Sequence, residues 1–186
     1  MDKKEAYIVW YKDLGIEDIP IVGGKNAALG EMLSGLVPMG INVPDGFAVT
    51  AKAYRYFLEA TGLNPKIEAI IKGLDTKDMK NLQKRGKAIR ETILKAKIPQ
   101  DLQDEIATAY KQMCDRYGKN TDVAVRSSAT AEDLPDASFA GQQETYLNVV
   151  GVADVLLGTK KCIASLFTDR AISYRVDKGF SHMDTA

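Results

Sequence analysis

The sequence predicts an α+β fold in which a small, mostly antiparallel sheet is covered by several helices. Four short apolar runs, near residues 7–11, 47–50, 122–126 and 145–149, have the length and composition of strands. Longer segments between and after these runs carry apolar residues at helical spacing. Short strands that alternate irregularly with many helices indicate an α+β lobe.

Composition narrows the classes of partner. The 186 residues are 45% hydrophobic, enough for a sizeable core in one domain or in two tightly joined lobes. The 25 basic and 25 acidic residues cancel, so no overall field favours nucleic acid or an anionic membrane as a partner. No apolar run approaches the roughly 20 residues that span a bilayer. Cys114 and Cys162 lie far apart without a C-x-x-C pattern, which fits a reducing compartment. We therefore expect a cytoplasmic protein.

The first strand is followed by a glycine pair and a lysine. Gly23 and Gly24 end a loop, Lys25 lies where a helix begins, and apolar residues then recur at helical spacing. A helix N-terminus presents free N–H groups and the positive end of a dipole to an anion, and a lysine adds a compact charge. The Walker A pattern is absent. The alternative is a glycine turn before a helix that carries a solvated lysine.

The middle of the chain is predicted to be helical. Thr50 follows the second strand and is a candidate N-cap for a helix at 53–60. Residues 65–97 have the pattern of two or three helical pieces, and residues 101–117 that of one amphipathic helix. The lysines of this region alternate with acids and glutamine, so we interpret them as a solvated helical face and not as a nucleic-acid patch.

A candidate anion site follows the third strand. Arg126 comes directly after Val123-Ala-Val125, and hydroxyl groups follow at Ser127, Ser128 and Thr130. A guanidinium offers a planar fork to phosphate oxygens, and small residues let backbone N–H groups approach the same ligand. The alternative interpretation is a hairpin with a long polar loop and a surface arginine.

The last part of the chain, 152–178, is predicted to be mostly helical, with Gly158 as a possible break between two helices. Arg170 and Arg175 are five residues apart and therefore do not share a helix face, so one can reach the site while the other is structural. His182 has no acid or cysteine suited to act with it nearby in the sequence. We predict that it is a surface residue and neither a base nor a metal ligand.

Three segments, in order, resemble one family. They are residues 22–32, 43–50 and 125–145, and the tail at 165–175 fits as well. They closely resemble the N-terminal ATP-binding domain of phosphoenolpyruvate synthases (pyruvate, water dikinases). Pyruvate, phosphate dikinases and rifampicin phosphotransferases have the same domain type and are the alternatives within the enzyme class.

The resemblance implies an ATP-grasp-type fold and a set of ATP contacts. Residues 1–150 would form the N-terminal nucleotide-binding lobe, with a helical insertion at about 52–118, and 151–186 would begin the next subdomain. The resemblance assigns phosphate contacts, and thereby the catalytic role, to Lys25 and Arg126. It implies a loop at 139–145 that closes over the phosphates. The further candidate contacts are Gly141, Thr145, Arg170 and Arg175.

The resemblance also implies a reaction. ATP would give a phosphoryl group to a histidine on a separate domain, which then phosphorylates pyruvate, while Mg²⁺ bridges the phosphates. We expect the Mg²⁺ ligands outside this chain and assign none to Glu132, Asp133 or Asp136, since loop carboxylates are usually solvated. Because the second lobe and the partner domains are missing, we expect the chain to be inactive alone. The competing hypothesis is a stand-alone nucleotide-binding module without catalysis.

Overall fold

The computed structural model describes residues 2–130 and 144–183, and the backbone of residues 133–134 and 137–138. It confirms the α+β class. The strands are β1 (Ile8–Trp10), β2 (Phe47–Val49), β3 (Val123–Arg126), β4 (Asp133–Leu134), β5 (Ala137–Ser138) and β6 (Thr145–Val149). The helices are α1 (Ile19–Val22), α2 (Gly24–Leu36), α3 (Ala51–Ala60), α4 (Leu63–Ile71), α5 (Met79–Lys95), α6 (Gln100–Tyr117), α7 (Val152–Ser165) and α8 (Asp169–Lys178).

The strands form three separate antiparallel pairs, β1–β2, β3–β6 and β4–β5. The four strands predicted from the sequence are all present, with bounds that differ by at most one residue at either end. The expectation of one small sheet is wrong for the described residues, because β2 and β3 do not pair with each other. Strand pairing depends on long-range packing, which a strand's own sequence does not encode.

The β3–β6 pair contains a bulge that sets the register at its far end. Val123 lies opposite Val149, but Val125 lies opposite Tyr146, so β6 has one residue more than β3 in this interval. Asn148 takes up the extra length with a φ of 54°, a left-handed conformation that asparagine tolerates better than most residues. The result places Arg126 directly opposite Thr145.

Most of the helices share one hydrophobic core. It joins buried side chains of α3 to α8, among them Phe57, Ile89, Ile106 and Phe167. α7 packs against both α5 and α6. The segment after residue 150 therefore contributes to the same core as the central helices, and the division into subdomains at this point stays a prediction.

A second, smaller core holds α2 in place. Ala6, Val9, Val22, Ala27 and Ala48 join β1 and β2 to the segment around α1 and to the first turns of α2. These small side chains allow the elements to approach closely. The N-terminus of α2 is thus fixed on the β1–β2 pair.

Gly158 does not interrupt the last helical segment, contrary to expectation. α7 continues through it, and the break comes at residues 166–168, where the Thr168 hydroxyl accepts a hydrogen bond from the Ala171 N–H and begins α8. A Cβ at Gly158 would lie 3.2 Å from the side chain of Val125. This glycine therefore permits close packing of α7 on β3.

In the described part of the chain, no helix combines the length and apolar character that crossing a bilayer requires.

Candidate functional site

Gly23, the residue before α2, packs directly on Ser128, which follows β3. Gly23 has a φ of +77°, and a Cβ at this position would overlap the carbonyl and hydroxyl oxygens of Ser128. Only glycine combines this conformation with such a close approach without strain. The structure thus brings together two motifs that lie about a hundred residues apart in the sequence.

Hydrogen bonds link the first turn of α2 to the same loop. The Lys25 ammonium donates to the carbonyl of Ser127 at 3.4 Å, and the Asn26 N–H donates to the Ser128 hydroxyl at 3.4 Å. Both distances lie at the long end of the range, so these bonds are weak. The N–H groups at the start of α2, its dipole and the Lys25 charge therefore lie beside the loop after β3, an arrangement suited to an anion.

Arg126 and Thr145 lie side by side at the end of the β3–β6 pair. They are direct cross-strand partners, so their side chains project from the same face of the pair. Both residues are exposed. The structure thus groups Lys25, Arg126 and Thr145 around one loop, residues 127–130. Gly141, the remaining candidate from the glycine-containing loop, lies outside the described residues.

A cavity of about 410 Å³ adjoins this loop. Its polar lining includes Tyr11, Asp45 and Arg126, and apolar side chains of α1, α2, α3, α6 and α7 also line it. Burial raises the pKa of the Tyr11 phenol; the Arg126 charge opposes this effect and Asp45 adds to it. Asp45 itself accepts hydrogen bonds from Arg116 and from the Tyr117 hydroxyl, both at 3.0 Å.

The two C-terminal arginines do not line this cavity. Arg170 is exposed in the first turn of α8, beside a separate surface groove that Glu144 and Lys161 also line. Arg175 is completely buried, with its guanidinium 5.3 Å from the centre of the Phe167 ring. Burial lowers the pKa of Arg175 to about 10. We therefore do not include Arg175 in the proposed site, and a role for Arg170 stays a prediction.

His182 is not the free surface residue that we expected. Its Nδ1 accepts a hydrogen bond from Arg175 Nε at 3.0 Å, and its side chain is partly buried. Burial and the neighbouring Arg175 charge lower the pKa of His182 to about 4. The imidazole is therefore neutral near pH 7 and accepts a hydrogen bond from a buried cation. The positions of Arg175 and His182 in the sequence do not by themselves predict this contact.

Sequence reasoning named Ser127 and Ser128 only as hydroxyls that follow Arg126, without assigning them a contact, and it did not select Asn26. Asn26 supplies a backbone N–H toward Ser128, and its side chain donates to the Val22 carbonyl at 2.8 Å, which orders the turn before α2. The sequence signal for these residues was that they lie next to, or within two positions of, Lys25 or Arg126 in the chain. Only the folded chain shows that they contact each other.

The metal-binding side chains and the cysteines of the described residues form no evident metal site and no disulfide. Among them, no three His, Cys, Asp or Glu side chains are grouped so as to hold a metal ion. Burial raises the pKa of the Cys162 thiol to about 12, and Cys114 and Cys162 are both free of disulfides.

Comparison with known proteins identifies the family of the chain. Residues 19–186 match the family profile described as pyruvate phosphate dikinase, AMP/ATP-binding domain. The chain is 56% identical over 99% of its length to a phosphoenolpyruvate synthase of Synechocystis sp., covering 23% of that protein. Identity to the phosphoenolpyruvate synthase of Aquifex aeolicus is 56% over 98% of the chain, covering 21% of that protein, and to that of Escherichia coli 49% over 96%, covering 22%.

The chain thus spans about a fifth of the length of these curated relatives. The family match includes the glycine pair, Lys25 and Arg126. The chain belongs to the pyruvate phosphate dikinase AMP/ATP-binding domain family.

Proposed function

We propose that this chain binds the phosphates of ATP through Lys25 and Arg126, as the N-terminal part of an ATP-grasp-type domain in a phosphoenolpyruvate synthase. The observation that carries the proposal is the contact between the start of α2 and the loop after β3, with Lys25 hydrogen-bonded to Ser127. Lys25 and the start of α2 thus lie against the loop that directly follows Arg126, and a helix N-terminus with two nearby cations is suited to a polyphosphate.

The residues of this chain would act by positioning and by neutralising charge. Arg126 provides a planar fork of donors for two phosphate oxygens, and Lys25 provides a compact charge that follows the phosphate during transfer. Thr145, opposite Arg126, offers a hydroxyl donor on the same face. Because the backbone positions of these residues are set by α2 and by the β3–β6 pair, the groups can stabilise developing negative charge with little reorganisation of the chain.

The proposal also includes the reaction of the whole protein, which we infer from the longer relatives. ATP, pyruvate and water would yield AMP, phosphoenolpyruvate and phosphate, through a histidine on another domain. The eight relatives compared carry the name phosphoenolpyruvate synthase, two of them as probable, which favours this enzyme over a rifampicin phosphotransferase. We place the protein in the cytoplasm.

Among the residues that the structure describes, the oxygen donors do not form a complete Mg²⁺ site. Mg²⁺ prefers carboxylate and phosphate oxygens in octahedral geometry. The lining of the cavity near Arg126 includes two carboxylates, Asp45 and Asp122, and Asp45 already accepts bonds from Arg116 and Tyr117. We therefore assign the protein ligands of Mg²⁺ to the remainder of the longer protein.

Calorimetric titration with Mg-ATP tests the phosphate contacts. It should be run on a chimera in which these 186 residues replace the matching region of the Aquifex aeolicus relative, and on the isolated chain. We expect Arg126→Ala and Lys25→Ala each to weaken binding to the chimera by about tenfold or more, the usual effect of losing a charge-assisted hydrogen bond.

Lys66→Ala is the matched control, since Lys66 is an exposed lysine on α4, outside the residues of the candidate site. It removes one positive charge and should leave the affinity unchanged. Unchanged ATP affinity in both Arg126→Ala and Lys25→Ala would contradict the proposed contacts. An equal loss in Lys66→Ala would attribute the effect to overall charge.

A further inference from the structure

The edge of β2 that faces away from β1 has no strand beside it among the described residues. Thr50 donates its N–H to the Tyr7 carbonyl, and Tyr11 donates its N–H to the Gly46 carbonyl. Backbone groups of alternate residues point to opposite sides of a strand. The register therefore directs the N–H and C=O groups of Ala48 toward β1 and those of Phe47 and Val49 away from it.

The edge of β3 is open in the same way. β3 pairs with β6 on one side, and the Ser127 N–H continues this pairing by donating to the Glu144 carbonyl at 3.4 Å. By the same alternation, the backbone groups of Val125 point toward β6. Those of Ala124 and Arg126 point away from β6, where the described chain has no further strand.

These two open edges border the same cavity. Its lining includes every residue of β2 and every residue of β3, but no described residue of β1 or β6. The cavity of about 410 Å³ therefore lies on the unpaired side of both strands, between the two pairs. It is long enough for about three or four extended residues, since β2 has three residues and β3 has four.

We propose that this cavity is a strand-receiving slot, in which an extended segment from the remainder of the longer protein hydrogen-bonds to β2 on one side and to β3 on the other. Such a strand would unite the two pairs into one five-stranded sheet. Isolated two-stranded pairs are marginally stable, and unpaired edges are the usual sites of strand addition. The inference does not depend on nucleotide binding.

The lining defines the chemistry of the occupant. Apolar side chains of α3, α6 and α7 line the slot, among them Met113, Val155 and Ile163, together with Leu166 directly after α7. The polar part of the lining includes Tyr11, Asp45 and Arg126. Because successive side chains of a strand alternate between faces, the occupant should be a short strand with apolar residues on one face and polar residues on the other.

The occupant is assigned to the same polypeptide because of length. The curated relatives are four to five times longer than this chain, so most of their sequence lies outside the matched region. A strand supplied by the same polypeptide has a high effective concentration and needs little intrinsic affinity. A strand from a second copy of this chain is the competing occupant.

Hydrogen exchange of single amides, without nucleotide, tests the slot. The isolated chain is compared with the Aquifex aeolicus chimera defined above. We expect the outward amides of Phe47, Val49 and Ala124 to exchange at least tenfold more slowly in the chimera. The amides of Ala48 and Val125, which face β1 and β6, serve as internal references and should change less.

Two results would overturn the proposal. Equal exchange of the outward amides in the isolated chain and the chimera would show that no segment of the longer protein enters the slot. Protection that grows with concentration in the isolated chain would assign the slot to a second copy. Because no ATP is present, neither result bears on the phosphate contacts.

An edge variant provides a second test that does not depend on the amount of protection. Ala124→Pro removes the outward N–H of β3, and edge positions tolerate proline because no existing bond is lost. In the chimera, we expect this change to release the inserted strand and to accelerate exchange at Phe47 and Val49 across the slot. In the isolated chain these two amides should be unaffected. Unchanged exchange in the substituted chimera would show that the two edges do not share one occupant.

Discussion

At the scale of single residues, the geometry of the candidate site depends on Gly23. This residue occupies a left-handed conformation and touches Ser128 across the junction between α2 and β3. A side chain there would push the two motifs apart, which would separate Lys25 from the loop that follows Arg126. Gly23 is therefore required for the shape of the junction, independently of any contact with a ligand.

Gly23→Ala should lower the free energy of unfolding by about 2 kcal/mol or more. The loss combines the strain of alanine at a positive φ with the overlap against the Ser128 backbone. Urea denaturation of the isolated chain measures the effect. Gly35→Ala is the matched control, since Gly35 lies in α2 with open space around it, and this change should be neutral or stabilise by about 0.5 kcal/mol. Equal effects of the two substitutions would contradict the packing argument.

At the scale of secondary-structure elements, Thr50 connects three of them. Its hydroxyl accepts the Ala53 N–H at 3.2 Å, which caps α3, and donates to the Ala6 carbonyl at 2.7 Å. Thr50 directly follows β2 and is almost fully buried. The predicted N-cap is confirmed, and its second hydrogen bond, to the segment before β1, is a tertiary contact that the sequence pattern did not reveal.

Thr50→Val should destabilise the chain by about 2–3 kcal/mol. Valine keeps the shape of the side chain but removes both hydrogen bonds, leaving a buried carbonyl and a helix N–H unsatisfied. Thr50→Ser retains the hydroxyl and should cost about 1 kcal/mol, the contribution of one buried methyl group. Thermal unfolding of both variants makes the comparison. A loss in Thr50→Ser as large as in Thr50→Val would show that packing outweighs the hydroxyl.

At the scale of the whole molecule, Arg175 and His182 join the end of the chain to the main core. Arg175 lies buried beside Phe167, and His182 provides the acceptor for its Nε group. Tyr54, on α3, is close enough for the Arg175 charge to act on its pKa. A buried cation is stable only where polar partners compensate for its lost hydration. The segment after α8 therefore helps to keep the core closed.

This arrangement predicts a specific acid sensitivity. The pKa of His182 is about 4 in the folded chain and about 6.5 when unfolded, so the unfolded state binds the proton first as the pH falls. The contribution of the neutral His182 to the free energy of unfolding is therefore present above pH 6.5 and is lost progressively as the pH falls toward 4. We expect a loss of roughly 2 kcal/mol from this residue over the window, after allowing for its partial exposure.

Urea denaturation at several pH values between 7 and 4.5 measures this loss. His182→Asn is the comparison, because asparagine can accept the Arg175 hydrogen bond but does not titrate. Its stability should fall less than that of the parent chain over the same range. Parallel curves for the two proteins would show that His182 does not titrate with the pKa inferred from its surroundings.

The sequence by itself determined the local elements and the identity of the two charged motifs. Hydrophobic periodicity specified the four main strands and most helix bounds, because each signal lies within a few consecutive residues. The Gly-Gly-Lys and Arg-Ser-Ser segments were also recognised from a few consecutive residues. Their chemistry was readable without a fold, since a guanidinium or an ammonium favours anions wherever it lies.

Only the tertiary structure decided which of these residues meet. It placed Lys25 against Ser127, set Arg126 opposite Thr145, buried Arg175 beneath Phe167 and left β2 and β3 unpaired across a cavity. Each outcome depends on packing between segments far apart in the sequence. Burial also set the protonation of His182, whose pKa follows from an environment built by other elements.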